Sequence, residues 1–310
     1  MEAAKAAILQ RYQRRDLGPA KEFLGMRIVR DRDEPTLTIS CPDLIKELID
    51  NFGISSAHRA NVPFPAGTAL HRSGEPPMDT NGRYQELVGS LLYLATAVRP
   101  DIAFAANCLA RFINNPEETH WRAAKSVVRY LAGTVEFGLE YGRTRELEGA
   151  MDADFNGCLD TRRSTTAWVL LYHGGAISWS SKRQPTVSCS TAEAEYIAAA
   201  AATREALWLK SLMVDLGEAD RAVPMAKDNL ACLALIANPE GTGREKHIDT
   251  AHHVVRERTD MGAVKFFHQA GAEMAADGLT KALVVPALAD FRRRLGMVQL
   301  GEPRDPPTTN

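Results

Sequence analysis

TTAWVLLYHGGAISWSSKRQPTVSCSTAEAEYIAAAAATREALWLKSLMVDLG, residues 165–217, contains the change of pattern that decides the fold. Two strand-like runs, TTAWVLLYH and AISWSSK, flank Gly174 and Gly175, which read as a hairpin turn. A long helix follows, from about Ser190 to Leu216. Ser190 with Glu193 three residues later predicts a capping box at its start, and Gly217 stops it.

Working outward, Leu139–Tyr141 and Gly149–Ala153 read as short strands upstream of the hairpin. Downstream come a strand in AVPMAKD, a short helix in NLACLALIAN closed by Pro239, and a helix over about 248–261. AVKFFH is a further strand, and a helix spans Glu273 to Leu295 with a possible break at Pro286. Hairpin strands followed by alternating helices and strands imply an α/β fold, a mixed five-stranded sheet with flanking helices. The tail GEPRDPPTTN reads as disordered.

The N-terminal half is different. A strand-like run, Phe23 to Val29, is interrupted by Gly25, and Leu37–Ser40 is a second strand. Pro42 opens a helix that Gly53 stops. Residues 63–83 are rich in Pro and Gly and read as a linker, and 84–132 hold three helices. Arg111, Arg122, Lys125 and Arg129 lie on these helices, either as a solvated basic face or as nucleic-acid contacts.

The chain has 310 residues, room for about two domains at roughly 100–200 residues each. Net charge is -2, which argues against a basic chain that binds nucleic acid by charge alone. No apolar run reaches the roughly 18–20 residues of a membrane helix, so no membrane partner is expected. The five cysteines show no CxxC spacing, and a reducing intracellular setting is the default. No G-x-S-x-G elbow accompanies Ser190 or Thr191, which helix capping explains. His247, His252 and His253 have poor spacing for a zinc site and no nearby cysteine.

Four carboxylates stand at informative places: Asp152 in the first strand of the α/β half, Glu195 in the first turns of the long helix, Asp228 at the end of the AVPMAKD strand, and Asp277 near the start of the last helix. Packed carboxylates repel one another, but around Mg²⁺ or Mn²⁺ they become hard oxygen ligands. Two such ions about 4 Å apart activate a water and stabilise the leaving oxygen in phosphodiester hydrolysis. Asp154, two residues from Asp152 on the same side of a strand, is its rival, and Asp249 is the rival of Asp277.

The motifs DLGPAKEFLGMRI, YQELVGSLLYLATAVRPDIAFA, HWRAAKSVVRYLAGT, MDADFNG, AISWSSKRQPTVSCSTAEAEYIA, KDNLACLALIANP, KHIDTAHHVVRE and AADGLTK resemble, in wording and order, the C-terminal part of copia-type LTR retrotransposon Pol polyproteins. The resemblance covers about 16–295. It implies a remnant of reverse-transcriptase palm and thumb over 1–75, a helical thumb or connection over 76–135, a ribonuclease H domain over 136–296, and a tail over 297–310. It further implies two Mg²⁺ or Mn²⁺ ions held by Asp152, Glu195, Asp228 and Asp277, and RNA–DNA hybrid as substrate, with His268 as a possible helper. The alternative is a catalytically inactive remnant that at most binds nucleic acid. The polymerase signature, with its two adjacent aspartates, does not occur, so an upstream polymerase region is expected in a full-length polyprotein. Location would be a cytoplasmic particle or the nucleus. The resemblance departs at Phe155-Asn156-Gly157-Cys158 and at Lys227, where the family usually has an aromatic residue or a cysteine. A lysine there either competes for the carboxylates or points away.

Overall fold

The computed structural model describes residues 2–12, 18–54, 59–142, 146–237 and 249–301. After α1 (Glu2–Tyr12), a first sheet gathers β1 (Glu22–Phe23), β2 (Met26–Arg30), β3 (Leu37–Ser40), β4 (Phe137–Tyr141) and β10 (Met297–Gln299), all antiparallel and in that order. The interrupted strand expected at Phe23–Val29 is a hairpin. Leu24 and Gly25 both take positive φ, the conformation a two-residue primed turn requires. Two further expectations change. Residues 139–141 pair with β3 rather than with the α/β strands, and the expected tail begins with a strand, Met297–Gln299, hydrogen-bonded to β4.

Between β3 and β4 run four helices, α2 (Pro42–Asn51), α3 (Arg83–Ala97), α4 (Ala103–Ala110) and α5 (Glu118–Gly133). Pro42 sits in the first turn of α2, where its missing N–H costs nothing. The cap of α5 is Glu117. Its backbone N–H donates to His120 Nδ1 at 2.9 Å, and its carboxylate accepts from Ser73 Oγ at 2.7 Å.

The second sheet is built from β5 (Glu148–Asp154), β6 (Thr165–Tyr172), β7 (Gly175–Arg183), β8 (Val223–Lys227) and β9 (Val264–His268). Their order is β7-β6-β5-β8-β9. The hairpins β5–β6 and β6–β7 are antiparallel, while β5–β8 and β8–β9 are parallel. One face carries α6 (Thr191–Asp215), whose Ala199, Ala202 and Ala206 pack with Met151, Leu170 and Met225. Small side chains let the helix lie close to the strands. The other face, with Ala150, Ala167, Val169 and Ala176, joins the core of α3, α4 and α5. Trp179 donates from Nε1 to the carbonyl of Ala95 at 2.6 Å, tying β7 to α3.

After α7 (Leu230–Ala237) and α8 (Asp249–Asp260), the expected long terminal helix breaks into pieces. Short 3-10 turns cover Gly271–Glu273 and Asp277–Leu279, and α9 (Val285–Arg294) starts with Pro286 in its first turn. Proline there begins a helix instead of kinking one. Among the described residues, no helix is long and apolar enough to cross a membrane.

A buried polar knot locks α9 to the N-terminal helices. Arg99 is fully buried and forks onto both Asp101 oxygens at 2.9 and 2.8 Å. It also donates to Thr134 O at 2.9 Å, while Tyr130 donates to Asp101 at 2.5 Å and Arg292 reaches Tyr130 at 3.3 Å. Removing one partner strands the other charge in the core. Asp101→Ala is therefore expected to lose about 3–5 kcal/mol of unfolding free energy, read by urea denaturation.

Burial holds His120 below the usual histidine range, with backbone hydrogen bonding and Glu117 opposing. A depressed value means stability that is complete above the unfolded pKa, near 6.5, and lost as pH falls through the lower folded value. The unfolding free energy should drop on acidification below that point, and His120→Asn should flatten the slope.

Candidate metal centre

The parallel ladder between β5 and β8 ends at Gly149↔Met225 and Ala150↔Ala226. Two residues further on stand Asp152 and Asp228. Beyond the last rung the strands part, and a crevice opens at their C-terminal ends. The alternation of β5 puts Asp154 on the same side as Asp152.

Glu195 comes from α6. Ser190 Oγ accepts the N–H of Glu193 at 3.1 Å, and Glu193 in turn accepts the N–H of Cys189 at 2.7 Å. The expected capping box is thus present with its return bond one residue earlier. It fixes the first turn and aims Glu195 into the sheet edge, with its side chain 6% exposed.

Ligand oxygens of Asp152, Glu195 and Asp228 lie within 4.8 Å of one another. Among them sits the fully buried ammonium of Lys227. Its Nζ is 2.5 Å from Glu195, 3.1 Å from Asp228 and 3.9 Å from Asp152, and it donates to Met151 O at 3.3 Å. Of the two sequence alternatives for this lysine, the inward one holds.

Asp277 lines the same cavity, of about 590 Å³, but stands outside the close group. It lies in a 3-10 turn rather than on a helix, and pairs with Lys281 at 2.5 Å. Asp154 also lines the cavity, over Gly157, where a Cβ would come within 1.8 Å of its carboxylate. A side chain at 157 would force the Asp154 carboxylate out of its place. His268 ends β9 opposite Lys227, is exposed, and is not among the residues lining the cavity. Asp249 heads α8, but its side chain is outside the described ones, as are those of His247, His252 and His253.

Two participants, Thr280 and Lys281, escaped the sequence reading, and a third, Arg111, was read only as part of a basic helix face. Thr280 donates to Asp152 Oδ2 at 2.6 Å and to Asp277 O at 3.0 Å, bridging the two acidic segments. Lys281 and Arg111 bring positive charge to the cavity wall. Of the other basic helix residues, Arg122 pairs with Glu118 at 3.0 Å and Lys125 lies over the Trp121 ring. For Thr280 and Lys281 the AADGLTK motif was the available signal; for Arg111 the basic helix pattern was, without its place on the cavity wall.

Burial pushes Glu195 up to about 7, with Lys227 opposing and Asp152 and Asp228 adding to the rise. Burial also works against charge on Lys227, but the surrounding carboxylates outweigh it and raise its pKa. Asp154 and Asp277 are raised, first by burial. The centre is therefore a concentration of negative charge that needs positive charge inside it. The hard oxygens suit a divalent cation, and Asp152, Glu195 and Asp228 are close enough to share one.

Two hairpins, then two parallel crossovers, with carboxylates at the shared strand ends, define the ribonuclease H-like class. Kinship is shown by sequence comparison. The chain is 37% identical over 289 residues, 91% of its length, to the retrovirus-related Pol polyprotein from transposon TNT 1-94 of Nicotiana tabacum. It is 30% identical over 207 residues to a putative transposon Ty5-1 protein of Saccharomyces cerevisiae, covering 66% of this chain and 67% of that one. The solved structure of LC11 ribonuclease H1, isolated from compost, shares 15% identity at a TM-score of 0.36, over 44% of this chain and 93% of that one. No family model matches. The chain belongs to the retrovirus-related Pol polyproteins of copia-type transposons, and it spans 22% of the length of the tobacco relative.

Thr280→Val removes a donor from a largely buried carboxylate oxygen. The expected cost is about 1–3 kcal/mol in urea unfolding, larger than that of Thr280→Ser, which keeps the hydroxyl.

Proposed function

We propose that this chain hydrolyses the RNA strand of RNA–DNA hybrids, as the ribonuclease H portion of a retroelement polyprotein. The observation that supports this reading is the convergence of Asp152, Glu195 and Asp228 at the parting ends of β5 and β8, in an open cavity. These carboxylates, with Asp277 at the rim, would hold Mg²⁺ or Mn²⁺. A divalent ion bound there supplies Lewis-acid stabilisation at the scissile phosphate and makes water a better nucleophile at neutral pH.

The chain's own residues do the rest. Thr280 fixes the Asp152 carboxylate, so that its remaining oxygen faces the cavity. Arg111 and Lys281, on the wall, would take phosphate oxygens and set the strand's position. The hybrid would be read through phosphates, groove shape and the RNA 2′-OH rather than base edges. The segment of β1 to β4 with α2 to α5 would pack against the duplex and join to an upstream polymerase region.

A second reading has one observation in its favour. Lys227 already sits among the three carboxylates, as in a remnant that binds nucleic acid without cutting it.

A labelled hybrid incubated with Mg²⁺ or Mn²⁺ decides between them. Cleavage of the RNA strand is expected, lowered by more than about 100-fold in Asp228→Asn, since loss of a mere outer-shell partner costs about 10–100-fold. Absence of cleavage with either ion would establish the non-catalytic reading. Cutting of an all-DNA duplex would move the chain to another nuclease class.

A further inference from the structure

The ribonuclease H reading carries an expectation of two ions, and the residues present do not fit two. We propose that the Lys227 ammonium is a resident cation of this centre, filling one of the two cation places, so that the chain binds a single divalent ion. The inference rests on the carboxylate-centre reading above and concerns how that centre is filled.

The geometry carries it. Lys227 is the last residue of β8, its main chain fixed in register with His268 of β9. Its side chain has no solvent exposure, so it is not a surface lysine that swings aside. The ammonium touches Glu195 at 2.5 Å and Asp228 at 3.1 Å, and stands 3.9 Å from Asp152. It thus lies within ion-pair distance of each carboxylate in the close group. Met151 O, at 3.3 Å, accepts a further bond and directs the ammonium inward. Another cation brought against the same oxygens would meet a fixed like charge at close range.

The charge count agrees. When ionised, Asp152, Asp154, Glu195, Asp228 and Asp277 offer five negative charges. Lys227, among the close carboxylates, and Lys281 and Arg111, on the wall, return three positive ones. The two that remain match one divalent ion. Lys281 is more than half exposed and is free to leave Asp277, whereas Lys227 is enclosed. Lys227 is therefore the residue that sets the number of ions.

The test is a Mn²⁺ titration of the full chain, by calorimetry and by the electron paramagnetic resonance signal of free Mn²⁺. One ion per wild-type chain and two per Lys227→Met chain are expected. Lys227→Cys, which also removes the ammonium, should behave like Lys227→Met. Two ions or none per wild-type chain would overturn the proposal, and that measurement does not depend on any variant folding. A single ion in both variants would also overturn it. Hybrid cleavage measured on the same preparation separates the two readings. Cleavage with two ions bound keeps the proposed function and removes this inference; one ion bound without cleavage does the reverse.

Discussion

The parallel pairing of β5 with β8, and its early end, is the constraint on which this molecule is arranged. Two rungs hold the strands together, and then they part. Because parallel strands run the same way, their acidic residues arrive at one edge, and like charges are brought together that would separate in water. The helix α6 adds a third carboxylate from across the sheet. Such a group is unstable alone, and the fold meets the need from within by placing a lysine on the strand itself.

The last part of the chain is tied to both halves. Thr280 grips Asp152, while Arg292, on α9, reaches the buried Arg99–Asp101 knot. β10 then adds an edge strand to the first sheet. The loop that carries Asp277, Thr280 and Lys281 is therefore anchored at its far end by the N-terminal helices. The position of the cavity wall depends on packing in the half that carries none of the close carboxylates.

Much of this was legible in the sequence. The hairpin, the long capped helix and the order of strands followed from turn glycines, Ser190 and apolar runs. Asp152, Glu195 and Asp228 followed from motif order. What was not legible has physical reasons. Whether Lys227 points in or out depends on the partner strand, and local pattern carries no information about it. Asp277 was read onto a helix because AADGLTK is compatible with one; tight packing of Gly278 against the Phe291 ring favours the 3-10 turn instead. β10 has three residues, too few for a period to show. Leu24 at positive φ is a hairpin signal that glycine-based turn rules undervalue.

The first sheet also has a consequence for the order of folding. Its edge strand β10 pairs with β4, which itself pairs with β3. The sequence between β4 and β10 contains the whole of the second sheet. A chain emerging from the ribosome can zip β5, β6 and β7 by short hairpins as soon as they appear, but it must wait for the whole of the second sheet and α9 to emerge before β10 finds β4. Closure of the first sheet is thus a late event. An unpaired β4 edge is exposed meanwhile, open to pairing with another chain.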